Sequence, residues 1–304
     1  MPDLISSASN PLVKRIRLLA DRRHRRREGA FVVRGIQPVW QAVEAGAEIE
    51  TLVVAPDLLR SEPAARMVEQ QRSRGVRVAR LTADLFHRIA DRDGPAGLAA
   101  IVRARVPSLD QLTPDRCAVL LALHEIGNPG NLGTIIRTAD AVGEAGVVLV
   151  GATTDPFDPT AVKASMGAVF HVPLAHAATV DDLFGWAGRH RVTVATTSAR
   201  APQSFWQVSY PRPVVILLGG EGPGLPPEVL DRGHLRLRIP MAGHAGSLNL
   251  AVAAGLLLYE TRRAAPADHA AGNRPPRPAI PHPARSVPRG ATPPAPGGQA
   301  GYGR

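Results

Sequence analysis

The chain has 304 residues, 44% of them apolar, and 36 Lys and Arg stand against 26 Asp and Glu for a net charge of +10. That is material for one large packed domain or two ordinary ones, and it excludes a disordered acidic chain and a collagen-like one. The single cysteine, Cys117, excludes an internal disulfide and a cysteine metal cluster, so a reducing, cytoplasmic setting is expected. Cys117 itself reads as a small buried apolar residue rather than a nucleophile. No apolar run reaches the ~18 residues of a membrane helix. The arginines near the N-terminus have no apolar signal core behind them.

The first feature along the chain is a basic run. Between Lys14 and Glu28 lie Lys14, Arg15, Arg17, Arg22, Arg23, Arg25, Arg26 and Arg27, eight basic residues against Asp21 and Glu28, a local +6. Beyond it, Thr51–Val54, Arg77–Arg80 and Leu98–Val102 read as short strands, and Gln37–Ala45 and Pro63–Arg74 as helices between them. This is the pattern of a small α/β domain. Pro107, Ser108 and Pro114 interrupt the pattern and mark a boundary. The chain therefore divides into residues 1–105, a linker over 106–117 and a second domain over 118–263.

In that second domain Ala118–Leu123, Val147–Val150, Val192–Thr196, Val214–Leu218 and Leu235–Ile239 read as strands. Most are continuous apolar runs, as parallel strands covered on both faces should be. Leu132, Ile135, Ile136, Ala139 and Val142 follow helical spacing. The last helix, Leu248–Arg262, is apolar on most sides and is expected to be buried. From Ala264 the final 41 residues hold ten prolines and six glycines, too little apolar surface to offset ordering, so 264–304 reads as a disordered tail. Arg262–Arg304 carries seven arginines against Asp268, a second +6, which leaves about −2 for the rest. Two basic appendages on a near-neutral body suit contact with a phosphate backbone; the alternative is a solvated charged face. No internal repeat is present.

Three Gly/Asn-rich segments follow predicted strands, at the edge where open α/β sheets bind ligands. The first is Gly127-Asn128-Pro129-Gly130-Asn131-Leu132-Gly133. Its glycines let a ligand or another backbone come close, and Asn128 or Asn131 can cap the following helix. Arg137, one turn beyond Gly133, is placed to hold a phosphate, or is only an exposed helix charge. The second is Leu218-Gly219-Gly220-Glu221-Gly222-Pro223-Gly224-Leu225. It lacks the Gly-Lys-Ser/Thr ending of a P-loop and the spacing of a dinucleotide fingerprint. Glu221 repels phosphate, which suits a phosphate-free ligand such as a nucleoside; alternatively Glu221 caps a helix starting at Pro226-Pro227. The third is Ile239-Pro240-Met241-Ala242-Gly243-His244-Ala245-Gly246-Ser247-Leu248-Asn249. Ser247 is a plausible cap for the last helix. Asn249 then falls in its first turn, where its amide needs partners from the glycine loop. Ten histidines show no HExxH or similar spacing, so no metal site is expected. His124 precedes the first loop and is placed to touch a ligand. Trp186 and Trp206 can stack on bases, although packing or surface cover is the plainer role.

Together and in this order, the three segments resemble the signature motifs of the SpoU/TrmH branch of the SPOUT methyltransferases. The first motif is matched by Asn131, Gly133 and Arg137, the second by Gly220, Glu221 and Gly224, and the third by Ile239, Pro240, Gly243, Ser247, Leu248 and Asn249. Lys163–Ala168 resembles a family segment between the first two. The match runs over about Ala118–Arg262, and it departs at Gly246, where relatives often carry an acidic or amide residue. Residues 1–105 more loosely resemble the family's substrate-binding domain, related to small RNA-binding ribosomal proteins.

The resemblance implies an α/β fold with a mostly parallel sheet whose C-terminal part threads a deep trefoil knot. It implies S-adenosylmethionine held near Leu218, Gly219, Gly220, Ile239, Met241 and Leu248, and a homodimer that completes the site. The implied reaction is methyl transfer to a ribose 2′-hydroxyl of RNA. Family accounts make the motif-one arginine, here Arg137, the base; an arginine rarely gives up its proton, so binding the phosphate and stabilising the alkoxide is the alternative role. Asn131, Glu221, Ser247 and Asn249 are implied to orient Arg137 and the ribose. The N-terminal domain, through Lys14, Arg15, Arg22, Arg23, Arg25, Arg26 and Arg27, is implied to grip the RNA. Large-subunit (23S) ribosomal RNA is favoured over tRNA. A non-catalytic RNA-binding or ribosome-assembly protein is the rival, against which the intact motif residues argue.

Overall fold

The computed structural model describes residues 4–90, 96–114 and 118–264. Cys117 and the segment beyond Ala264 read above as a tail lie outside the described residues.

The N-terminal domain opens with α1 (Pro11–Leu18) and α2 (Arg22–Glu28). Helix α2, of sequence RRHRRRE, has no apolar stripe and was legible only as charge. Its ends hold it: Asp21 caps it by accepting from Arg23 N–H, and Gly29 closes it in the left-handed region at φ 60°. There follow β1 (Ala30–Arg34), α3 (Ile36–Glu44), β2 (Ile49–Val54), α4 (Glu62–Ser73), β3 (Arg77–Arg80), α5 (Ala83–His87) and β4 (Leu98–Arg103). The sheet order is β1-β4-β2-β3, with β4 antiparallel to both neighbours and β2 parallel to β3. Sequence reading gives three of these four strands; β1, directly behind the arginine run, is the fourth. Alternation splits each strand between two cores. Ala30 and Val32 pack with Leu12, Ile16 and Phe86, whereas Phe31 and Val33 pack with Val39, Leu52 and Met67.

The C-terminal domain runs β5 (Val119–His124), α6 (Pro129–Val142), β6 (Ala145–Val150), α7 (Pro159–Ser165), β7 (Leu174–Ala177), α8 (Val180–Arg189), β8 (Thr193–Thr197), β9 (Gln203–Ser204), β10 (Val214–Gly219), α9 (Pro227–Leu230), β11 (Leu235–Arg238) and α10 (Leu250–Arg263). Its seven strands, ordered β7-β6-β5-β10-β8-β11-β9, are paired in parallel throughout. Every strand therefore ends at the same sheet edge. Leu121 and Leu123 face α6 and α10, while Leu120 and Ala122 face α8 and α9. Trp186 is fully buried in α8, and Trp206 is half exposed.

Two expectations are corrected. The last helix starts at Leu250 with Asn249 as its cap, so Ser247 is not the cap and Asn249 is not in the first turn. The helix is also not buried all round, because Val252, Leu256 and Tyr259 are 53%, 42% and 54% exposed.

Candidate active site

The three Gly/Asn-rich segments meet at the carboxyl edge of the parallel sheet. Asn128 caps α6, its Oδ1 accepting from the N–H groups of Gly130 (2.8 Å) and Asn131 (3.1 Å), and Pro129 occupies the first turn. Gly133 is needed for packing: a Cβ there would lie 2.3 Å from the carbonyl oxygen of Ala161 and 2.7 Å from the Ala164 Cβ on α7. The close neighbour of this glycine is thus another backbone.

A directional chain of hydrogen bonds joins one polar side chain from each segment. Asn249 Oδ1 accepts from the first N–H groups of α10, Ala251 at 2.9 Å and Val252 at 3.3 Å. That leaves its amide nitrogen as donor to Asn131 Oδ1 at 3.1 Å. Asn131 must then present its own nitrogen onward, and it donates to Glu221 Oε1 at 2.7 Å. Glu221 Oε2 accepts from Gly127 N–H at 3.4 Å. Glu221 is therefore not a helix cap, and α9 has no side-chain cap. Partial burial works against its ionisation, but the bonds from Asn131 and from the N–H groups of Glu221 and Gly127 prevail, and the carboxyl lies below the usual range.

Beside this chain lies a cavity of about 660 Å³, within the roughly 300–1,000 Å³ of small-molecule sites. Leu218, Gly219, Gly220, Ile239, Met241 and Leu248 all line it, as do Glu221, Ser247 and Asn249. The Gly219 backbone passes so close to the loop's return that a Cβ would lie 2.2 Å from Gly224 C. Thr197–Arg200 also line the cavity. They were missed in the sequence, where the one available signal was their place directly after a strand. Ser247 makes no hydrogen bond among the described residues. Arg137 is exposed on α6, outside the cavity lining, with no ion pair or hydrogen bond among the described residues. His124 ends β5 and stands 4.0 Å from the Glu125 carboxylate. Glu125, also unforeseen, sits in the left-handed region at φ 51°.

The basic run divides. Arg25 is 2% exposed, and its guanidinium is bound to Asp155 (2.7 Å), Asp158 (3.5 Å) and the carbonyls of Leu19 and Ala20. Its expected contact with RNA is therefore corrected: the group is buried between the domains and fully partnered. Arg15 is held by Glu28 and Glu50, and Arg22 donates to the Thr153 carbonyl. Lys14, Arg23, Arg26 and Arg27 are exposed. Among the described residues no group of three His, Cys, Asp or Glu is placed to hold a metal, and no helix is long and apolar enough to cross a membrane.

Residues 118–259 match the model of the SpoU rRNA Methylase family, and residues 10–100 match the MRM3-like substrate binding domain. A solved rRNA methyltransferase from Sinorhizobium meliloti, bound to AdoMet, is 37% identical, covering 86% of this chain and 97% of its own with a TM-score of 0.79. The chain belongs to the SpoU/TrmH family of RNA 2′-O-ribose methyltransferases. Other relatives in it include the 23S rRNA (uridine(2479)-2′-O)-methyltransferase of Streptomyces viridochromogenes, 29% identical over 81% of this chain and 87% of the relative. The 23S rRNA (guanosine(2553)-2′-O)-methyltransferase RlmP of Bacillus subtilis is 28% identical over 85% and 98%.

Proposed function

We propose that this enzyme transfers a methyl group from S-adenosylmethionine to a ribose 2′-hydroxyl of 23S ribosomal RNA. The observation that carries the reading is the Asn249–Asn131–Glu221 chain, which ties all three motifs together at the rim of one cavity. The cavity fits the cofactor. Leu218, Ile239, Met241 and Leu248 offer apolar surface, backbone groups of the two glycine loops offer hydrogen bonds, and the Glu221 carboxylate at the rim suits a cation rather than a phosphate. When bound there, S-adenosylmethionine supplies an electrophilic methyl group.

Arg137 is not the base, since a guanidinium is a cation with donors and no acceptor. It binds the phosphate next to the target ribose and stabilises the oxygen as the 2′-hydroxyl proton passes to solvent water and negative charge develops. Asn131 and Asn249 orient the ribose, with Glu221 fixing the direction of the Asn131 amide, and Ser247 offers an uncommitted hydroxyl at the same rim. The deep trefoil knot belongs to this reading: the chain from β11 through Ile239–Asn249 into α10 is the threaded segment.

The enzyme acts as a homodimer. Val252, Leu256 and Tyr259 form an apolar strip on α10, which packs against α6, the helix bearing exposed Arg137. A two-fold pairing over that strip covers it and encloses Arg137. Leu256→Asp is expected to give a monomer by light scattering and to lose methyl transfer; a fully active monomer contradicts the pairing.

The reaction is tested with labelled S-adenosylmethionine and unmodified ribosomal and transfer RNA, digested to nucleosides and analysed by mass. A 2′-O-methylnucleoside from the ribosomal RNA, absent with Arg137→Ala, is the expected result. Product in transfer RNA alone overturns the substrate. Neither transfer nor cofactor binding overturns the enzyme reading.

A further inference from the structure

Trp206 lies just beyond β9, in the segment 198–213 that joins β8 to β10. Strand β9 pairs in parallel with β11, with Ser204 beside Arg238. The chain after β9 therefore leaves the sheet at the same edge as Ile239 and the rest of the third motif. We infer that Trp206 is a stacking platform for an unpaired base of the substrate RNA, with Arg200 of the same segment holding a neighbouring phosphate; the inference rests on the methyl-transfer reading above.

The ring is displayed and its support is fixed. Trp206 is 51% exposed, whereas Phe205, one residue earlier, is buried in the core. The two ring centroids are 5.0 Å apart and the planes are tilted by 45°, so Phe205 backs the indole without covering it. Phe205 N–H donates to the Arg238 carbonyl at 3.0 Å, and its own carbonyl accepts from the Tyr210 hydroxyl at 2.5 Å. Gln207 N–H closes the turn onto the Ser204 carbonyl at 3.0 Å. Upstream, the Arg238 guanidinium donates to the carbonyls of Ala201 (2.8 Å) and Pro202. A ring held by a bonded backbone binds without first having to be ordered.

The surroundings argue for nucleic acid. Between Ala201 and Tyr210 the other exposed residues are Pro202, Gln203, Gln207 and Ser209. They form no apolar patch of the kind a protein partner covers. Trp206 is also outside the lining of the cofactor cavity, so it is not a cover for the cofactor. Arg200 does line that cavity, as its one cation among the described residues, and it is exposed. Its guanidinium makes no ion pair or hydrogen bond among the described residues. The segment thus runs along β11 from a free cation at the cavity rim to a free aromatic face. An aromatic face beside a cation is the pairing that holds single-stranded nucleic acid, the base on the ring and the phosphate on the charge.

The test compares Trp206→Ala, Trp206→Phe and Arg200→Ala with wild type. Binding of an unmodified 23S rRNA transcript is measured over a range of salt. For the Trp206 variants, S-adenosylmethionine affinity checks the fold and light scattering checks the oligomer. Trp206→Ala should weaken RNA binding about 5- to 150-fold and raise the KM for RNA in step. The slope of log K against log salt should stay as in wild type, because stacking releases no counterion, whereas Arg200→Ala should weaken it by about 0.7. Trp206→Phe should recover most of the affinity. Unchanged RNA affinity in Trp206→Ala, while the wild type methylates RNA, overturns the platform alone. A phenylalanine variant no better than alanine overturns stacking. A Trp206→Ala protein that turns monomeric or loses cofactor affinity overturns the platform too, since the ring then serves assembly or folding. An unchanged salt slope in Arg200→Ala overturns the phosphate contact. A wild type that binds cofactor but neither binds nor methylates RNA overturns the methyl-transfer reading and the platform with it.

Discussion

The two domains each cover both faces of a sheet with helices, yet only one gathers polar side chains at a sheet edge. In the N-terminal domain β4 runs antiparallel to β1 and β2, so strand ends and their loops are shared between opposite edges. In the C-terminal domain every pairing is parallel, and the loops after β5, β6, β8, β10 and β11 emerge together. The lesson is one of topology. A fully parallel sheet concentrates loops where chemistry can be assembled, whereas the mixed sheet serves as a platform for charge. Arginine shows the same division: Arg25 of the first domain is buried and fully paired, and Arg137 of the second is exposed and unpaired among the described residues.

Substitutions that strike one half and spare the other sharpen this contrast. The largest effect on stability is expected from Arg25→Ala, which leaves Asp155 and Asp158 without their shared cation at the domain junction. Breaking a buried pair from one side costs about 3–5 kcal/mol, read as a lower midpoint in urea unfolding. A loss below about 1 kcal/mol makes Arg25 a bystander and separates the domains energetically. Next comes Asn131→Ala, which cuts the hydrogen-bond chain between Glu221 and Asn249. Misplaced catalytic groups cost on the order of 10²-fold, so kcat should fall about that much in single turnover while RNA affinity holds. Equal losses in kcat and RNA affinity place Asn131 in the binding platform instead.

The smallest effect is the pH dependence of Glu221. Its folded pKa lies below the ordinary value, so the unfolded state binds more protons in the intervening window and stability rises with pH there. The advantage of wild type over Glu221→Gln should be complete above the ordinary glutamate range near 4.3. It should fade as pH falls through the lower folded value. Thermal midpoints of both proteins between pH 7 and 3 measure it, and a gap that widens on acidification has the wrong sign.

Much of this was legible in the sequence, for reasons that differ by element. The strands β5, β6 and β10 are continuous apolar runs that admit few other readings, and the loops behind β5, β10 and β11 carry the motif residues that meet in space. Arg25 was not separable from Arg22, Arg23 and Arg26, because its burial depends on Asp155 and Asp158 some 130 residues away. Asn249 was misplaced because Ser247, an equally good cap by residue type, precedes it. The open strip on α10 was hidden for a simpler reason. A helix apolar on most sides looks the same whether its cover is its own chain or another surface.

The cofactor site is tested by calorimetric titration of S-adenosylmethionine into wild type and Gly219→Val. Any side chain at 219 collides with the Gly224–Leu225 backbone and displaces the loop that lines the 660 Å³ cavity. One site per chain is expected in the wild type, and binding is expected to be lost in a variant that keeps its circular dichroism spectrum. A folded Gly219→Val protein that binds the cofactor as the wild type does would place it elsewhere and contradict the assignment.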